Sequence, residues 1–215
     1  MKKYKFYFFV GVLLLINSCE LDNYDGPNAT INGGVYDIET NELVQQDIVN
    51  GAQIEYIEHG YSNPQTQYMI FKTDGTYQND LMFSNTYTMK PMRGNFVAIE
   101  AQEVKVEGNT KHDFKVQPYI RIKNAFVERQ GNKVVAIFNI QQTVSANVKD
   151  AVLFADTNPS VGESVKQVYV VKTINSIVSE NTEYTLEIDL DANNTKLKPG
   201  KEYYFRVGAL IDVPE

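Results

Sequence analysis

The chain carries 27 acidic side chains, and several fall in close pairs. Glu55 with Glu58, and Asp189 with Asp191, are examples of the paired carboxylates that a glycosidase requires. Glycoside hydrolysis needs two carboxyls held about 5–9.5 Å apart across a cleft, and so acidic a chain produces close pairs by chance. The stretch DLDANN alternates oxygen donors at Asp189, Asp191 and Asn193. Asn194 stands where a calcium loop of the EF-hand type needs glycine, and Gly200 where it needs a bidentate glutamate. The stretch therefore reads as a strand end running into a turn, and no metal site is expected. His59 and His112 are the two histidines; neither has ligand or triad spacing, and no nucleophile-elbow motif accompanies them. The chain is expected to be non-catalytic and without a cofactor.

Binding chemistry is better represented. Sugars present apolar C–H faces ringed by hydroxyls. Proteins answer with flat aromatics beside amides and carboxylates, because an aromatic ring supplies rigid area at low entropic cost. HGYSNPQTQYMIF sets Tyr61 and Tyr68 among Asn63, Gln65 and Gln67. It reads as a long hairpin loop, so Tyr61, Asn63, Gln65 and Tyr68 are the candidate ligand-binding residues. The other reading has Tyr68 starting a strand and packing inward, with Tyr61 a lone surface ring. The chain has no Trp, the strongest stacking platform. A compact chain of small β-domains also leaves little room for a deep cleft.

The elements that must position these residues are strands. Tyr, Phe, Val, Ile and Thr are abundant, which favours pleated, half-buried structure. In TLEIDL, Leu186, Ile188 and Leu190 face one way while Thr185, Glu187 and Asp189 face the other. YYFRVGALI repeats the pattern with Tyr203, Phe205, Val207 and Ala209. No convincing amphipathic helix interrupts these runs. Gly131-Asn132 marks a turn between two strands, and Asp74-Gly75 a hairpin turn in which glycine supplies positive φ. An all-β fold of two sandwiches in series follows, with the boundary near Val116–Pro118.

The amino terminus has a separate logic. MKKYK is a short positive segment, and Phe6–Ile16 an apolar run of about eleven residues, long enough for a secretory signal and too short to span a bilayer. Ile16-Asn17-Ser18-Cys19 resembles a bacterial lipobox, with Asn17 departing from the usual small or hydroxyl residue. Cys19 is the only cysteine of the chain, so internal disulfides and cysteine zinc clusters are excluded. A thioether-linked diacyl group plus an acylated amine would give stable anchoring. Residues 1–18 are then a lipoprotein signal peptide and 19–29 a lipidated tether. Glu20, Asp22 and Asp25 follow the cysteine and resemble a surface-export signal of Bacteroidetes lipoproteins. The expected place is the outer membrane, facing the extracellular side. Net charge is −7, and losing Lys2, Lys3 and Lys5 leaves −10, which argues against nucleic-acid partners.

Two resemblances refine the fold. INGGVYD, GAQIEY, KTDGTYQN and NTYTMKP follow the order of carboxypeptidase-regulatory-like, transthyretin-type sandwiches. The matching residues are Gly34, Val35, Asp37, Gly51, Ala52, Thr73, Asp74, Gly75, Tyr77 and Tyr87. LKPGKEYYFRVGALI is similar to the penultimate strand of a fibronectin type III, immunoglobulin-like sandwich, through Leu197, Pro199, Gly200, Tyr203, Arg206, Val207 and Ala209. The domains are thus expected at 30–116 and 117–215, the second without its last strand, trimmed or completed in trans. Together with DNYDGPNATINGGVYD, these features resemble a Bacteroidetes lipoprotein family, domain of unknown function 3823. The resemblance implies a polysaccharide-utilisation context, with accessory glycan binding beside a TonB-dependent transporter and its starch-utilisation-type lipoprotein. The alternative it leaves is a structural spacer or assembly protein contacting that transporter, the lid lipoprotein or a fimbrial component.

Overall fold

The computed structural model describes residues 25–213, so the signal segment and Cys19 lie outside the described residues. Within them the chain folds into strands and turns with no helix, as an all-β fold of two sandwiches.

The first sandwich pairs β4 (Thr76–Met82), β1 (Ala29–Asp37) and β7 (Asn109–Lys111) in one sheet, with β8 (Phe114–Val116) also pairing β1. The facing sheet has the order β3 (Thr66–Ile70), β2 (Gln53–Glu58), β5 (Asn85–Met92) and β6 (Gln102–Val106). Their inward residues form one apolar core, including Ile31, Ile54, Phe71, Tyr77, Met89 and Phe114. Each such side chain contributes about 1.5–3 kcal/mol by leaving water.

β1 is the hinge of this design. It runs parallel to β7 through Thr30–Asn32 and then to β8 through Val35–Asp37. At the changeover the backbone of His112 crosses Gly33 so closely that a Cβ there would lie 1.8 Å from the His112 carbonyl oxygen. The Tyr77 hydroxyl donates to that same oxygen at 2.7 Å. Gly33 is therefore a matter of space.

Asp74-Gly75 corrects the sequence reading. Gly75 has φ +88, and its N–H donates to the Lys72 carbonyl, as in a tight turn. Yet β3 pairs with β2 while β4 pairs with β1. The turn carries the chain from one sheet to the other and does not close a hairpin.

The second sandwich stacks β13 (Glu183–Asp189), β10 (Lys133–Gln142) and β9 (Ile120–Gln130) against β12 (Val168–Ser176), β11 (Val148–Asp156) and β14 (Tyr204–Ile211). The alternation expected in TLEIDL is present, with Leu186 and Ile188 buried. Gly131, with φ +63, makes the β9–β10 turn. Phe138, Ile140, Leu153 and Ile188 are fully buried, but Ile122, Val127, Phe205, Val207 and Ala209 are only partly covered. These lie on β9 and β14, which occupy the same side of the sandwich. Among the described residues β14 pairs with β11 alone, so its other backbone edge is open.

The domains are held together through side chains. Arg121, at the start of β9, donates from Nε and Nη2 to the Asp37 carboxylate at the end of β1 and reaches Glu39 at 2.8 Å. On the other flank Asp47 accepts from the Ser164 N–H at 3.0 Å, and Asn50 donates to the Ser164 hydroxyl at 2.9 Å. Arg206 points toward this contact and donates to the Gln46 and Val161 carbonyls.

Candidate functional site

The outer face of the β3–β2–β5–β6 sheet is built by strand parity. On β2, Ile54 and Tyr56 point inward, so Gln53, Glu55 and Ile57 point outward. On β3 only Met69 is buried, and Thr66, Tyr68 and Ile70 face out. On β5, Tyr87, Met89 and Pro91 are inward, leaving Thr88, Lys90 and Met92 outward. Register then sets rows across the sheet. Tyr68, Glu55 and Lys90 are opposite one another, as are Ile70, Gln53 and Met92.

Tyr68 is 58% exposed on this face. On the neighbouring strand lie the Glu55 carboxylate and, diagonally, the Gln53 amide, and the Lys90 ammonium follows one strand further on, about 10 Å from Tyr68 across the sheet. Arg93 follows β5 with φ 53, an uncommon conformation for a side-chain-bearing residue, and its Nη2 donates to Gln53 Oε1 at 2.7 Å. The strained backbone thus brings a guanidinium over the sheet and orients the neighbouring amide. A flat aromatic with acceptors and donors at strand spacing can hold the apolar face of a pyranose and bond its hydroxyls.

The four candidate residues divide. Tyr68 lies on β3, not in a loop, and it faces solvent, not the core. Tyr61, Asn63 and Gln65 are exposed in the turn between β2 and β3, where Gln65 Nε2 donates to the Asn63 carbonyl. Gln67 points to the opposite side, accepting from the Tyr56 hydroxyl at 3.1 Å. Tyr68 is thus placed on the strand that directly follows the turn carrying Tyr61, Asn63 and Gln65. Register adds Glu55, Lys90, Gln53 and Arg93 to the face of Tyr68, a grouping that no local pattern marks.

The residues considered for catalysis and metal binding are placed elsewhere. Glu55 and Glu58 fall on opposite faces of β2, and Glu58 accepts from Asn85 at 2.9 Å. Asp189 closes the turn after β13 by accepting from the Asp191 and Ala192 N–H groups, while Asp191 accepts from Asn132. His59, expected in an exposed loop, is half-buried with its ring 2.8 Å from the Thr88 hydroxyl. His112 packs edge-on against Phe114 and contacts Gln102, and burial lowers its pKa. Among the described residues no group of three or more His, Cys, Asp or Glu is placed to hold a metal ion. A shallow hollow lined by Gln142, Thr143, Val144, Ser145 and Ile177 lies in the other domain and offers neither charge nor an aromatic ring.

Comparison with known proteins adds three results. Residues 29–117 match the family described as "Protein of unknown function (DUF3823) N-terminal domain", and residues 120–215 match "Domain of unknown function (DUF3823_C)". No curated protein matches. Among solved structures, a Bacteroides uniformis protein described as a "putative carbohydrate binding protein" is 38% identical, with a TM-score of 0.80 over 87% of this chain and 91% of that one. A family member from Parabacteroides merdae superposes with a TM-score of 0.76 at 22% identity, covering 87% of this chain and 93% of that one. One from Bacteroides ovatus gives 0.71 at 26%, over 86% and 91%.

Proposed function

From the premise that this chain belongs to the DUF3823 family, we propose that it is a non-catalytic accessory glycan-binding lipoprotein, anchored through Cys19 at the outer face of the outer membrane. The observation that carries the binding reading is the outward row of Tyr68, Glu55 and Lys90 on one open sheet. The description of the Bacteroides uniformis relative as a "putative carbohydrate binding protein" agrees with it. The lipobox-like Ile16-Asn17-Ser18-Cys19 supports the anchor. The face is shallow, and one tyrosine leads it. Binding on the order of 0.1–1 mM per site is expected, since an open platform leaves most of a ligand solvated. Titration of the soluble chain against a panel of polysaccharides tests this, with Tyr68→Ala as the diagnostic variant.

A second reading has one specific observation in its favour. Edge strands are ordinarily guarded by charge or proline. β14 carries a single charge, Arg206, and that side chain is turned into the domain contact. Its open edge, flanked by partly covered Phe205, Val207 and Ala209, suits an extended strand added from a transporter or fimbrial partner. On this reading the chain is a spacer or assembly protein. Co-purification of such a partner, lost on Val207→Pro, separates it from the first.

A further inference from the structure

Leu81 is 75% exposed, more than any other large apolar side chain among the described residues. Its position is built in. Between Ala29↔Met82 and Ile31↔Asn79 the register shifts, so Asp80 and Leu81 on β4 oppose Thr30 alone on β1. This is a β-bulge, a device that re-aims a side chain, and the Leu81 N–H is held by Asn79 Oδ1 at 2.9 Å. Phe83 follows at 41% exposure. Its carbonyl accepts from the Tyr87 hydroxyl at 2.9 Å. Burial and the nearby Glu58 charge push the Tyr87 phenol up to about 12, so this bond persists at ordinary pH. Tyr61, 61% exposed, projects from the loop at the same end of the sandwich. That loop is tied to the start of β5 through the His59 N–H to the Thr86 carbonyl and Asn85 Nδ2 to the His59 carbonyl.

The chain arriving from Cys19 enters at this end. The Asn28 N–H donates to the Met82 carbonyl at 3.0 Å, and Asn28 Oδ1 accepts from the Ser84 N–H at 2.8 Å. The entering segment is thereby stitched to the turn that bears Leu81 and Phe83. Cys19 to Asn28 spans nine peptide steps, a reach of roughly 30 Å at most. A lipid on Cys19 would hold this end of the domain against the bilayer.

We infer that Leu81, Phe83 and Tyr61 form a bilayer contact beside the lipid anchor, standing the first domain on its β4–β5 end. The inference rests on the anchoring of Cys19 proposed above. Asn28, Ser84 and Asn85 border the contact together with exposed Asp80 beside Leu81 and the Glu58 carboxylate bonded to Asn85, and Glu20, Asp22 and Asp25 precede it, with no basic side chain among them. It is therefore apolar in character and owes nothing to anionic lipid. Three partly inserted side chains bind too weakly to recruit the chain alone, but they act in cis once acyl chains raise the local concentration. In this posture the second domain, joined at the opposite end of the first through Asp37 and Arg121, points away from the membrane. The Tyr68 face then stands sideways and open.

The absence of tryptophan makes a direct test available. Full acylated chains carrying Leu81→Trp, Phe83→Trp or Val171→Trp are reconstituted with phosphatidylethanolamine–phosphatidylglycerol vesicles containing brominated acyl chains. Severalfold quenching at positions 81 and 83, unchanged by salt, with none at 171, is the expected result. Sedimentation with vesicles but no quenching at 81 or 83 overturns the inference and leaves the anchor standing. Quenching at all three positions overturns the upright posture. Failure of the acylated chain to sediment with vesicles removes the anchoring reading, and this inference with it.

Discussion

Arg121 of the second domain grips Asp37 of the first through two N–H groups, with Nη2 to Oδ1 at 3.0 Å, and both residues are buried, at 9% and 4% exposure. The two partners lie 84 residues apart in the chain. Asp37 ends β1 and Arg121 lies at the start of β9, so the pair fixes how the linker residues 117–119 pass from one sandwich to the other. It is supported by the Val97 N–H to the Gln117 carbonyl and the Tyr119 N–H to the Asn95 carbonyl.

Arg121→Ala is expected to cost about 3–5 kcal/mol, because it leaves the Asp37 carboxylate buried without its partner. The double variant Asp37→Asn with Arg121→Met should lose less than Arg121→Ala alone. Denaturant unfolding of the three proteins checks this ordering. Equal losses for the single and double variants would show that the carboxylate is solvated and the pair peripheral.

Acid should loosen the domain contact before it unfolds either core. The Arg121 hydrogen bonds hold Asp37 down at about 2. Burial raises Asp47, but the Ser164 side chain and the N–H groups of Asn50, Ser164 and Val49 outweigh it and bring that carboxyl to about 2 as well. Both groups are depressed from 3.8, so their stabilisation is complete above about pH 4 and is lost as pH falls toward 2. For Asp37 this amounts to about 2 kcal/mol. Stability measured from pH 5 to 2 should fall less steeply in Asp37→Asn than in the parent chain, and an identical slope would contradict the assignment.

Gly33→Ala should destabilise the first domain by about 1–3 kcal/mol or more, since the new methyl meets the His112 carbonyl. Gly108→Ala, where a Cβ has open space around it but φ is +56, serves as a comparison in which only backbone strain is added. Thermal unfolding should rank Gly33→Ala as the more damaging.

Hydrogen exchange should divide the second sandwich. Amides of β11, paired on both sides, are expected to exchange near the global limit, while the outward alternate amides of Tyr204–Ile211 exchange far faster. Uniform protection along β14 in a proven monomer would mean that its edge is closed.

Local pattern and long-range pairing contributed differently to what the sequence revealed. The alternation of Leu186 and Ile188, the turn at Gly131 and the all-β class were legible because each depends on neighbours in the chain. Asp74-Gly75 was legible as a turn but not as a crossing between sheets, since the strands it joins choose partners far away. The composition around Tyr68 points either to a binding loop or to an inward-packed strand start. The outward direction of Tyr68 depends on register, and a slip of one residue would turn it into the core. Glu55, Lys90 and Arg93 gain meaning only once β2 pairs with β3 and β5. The Arg121–Asp37 pair was hidden for the same reason, although Asp37 itself stood in a recognised scaffold motif. Glu55 and Glu58 are close in the chain by chance, as expected of so acidic a sequence, and the alternation of strand faces sets them apart.

The glycan-binding reading is tested most directly by isothermal titration of the mature soluble chain with a polysaccharide it retains on an affinity gel, repeated for Tyr68→Ala and for Tyr61→Ala. The outer-face site predicts that Tyr68→Ala weakens binding at least tenfold and that Tyr61→Ala leaves it within twofold. Unchanged affinity in Tyr68→Ala, or no retention on any polysaccharide tried, would contradict it.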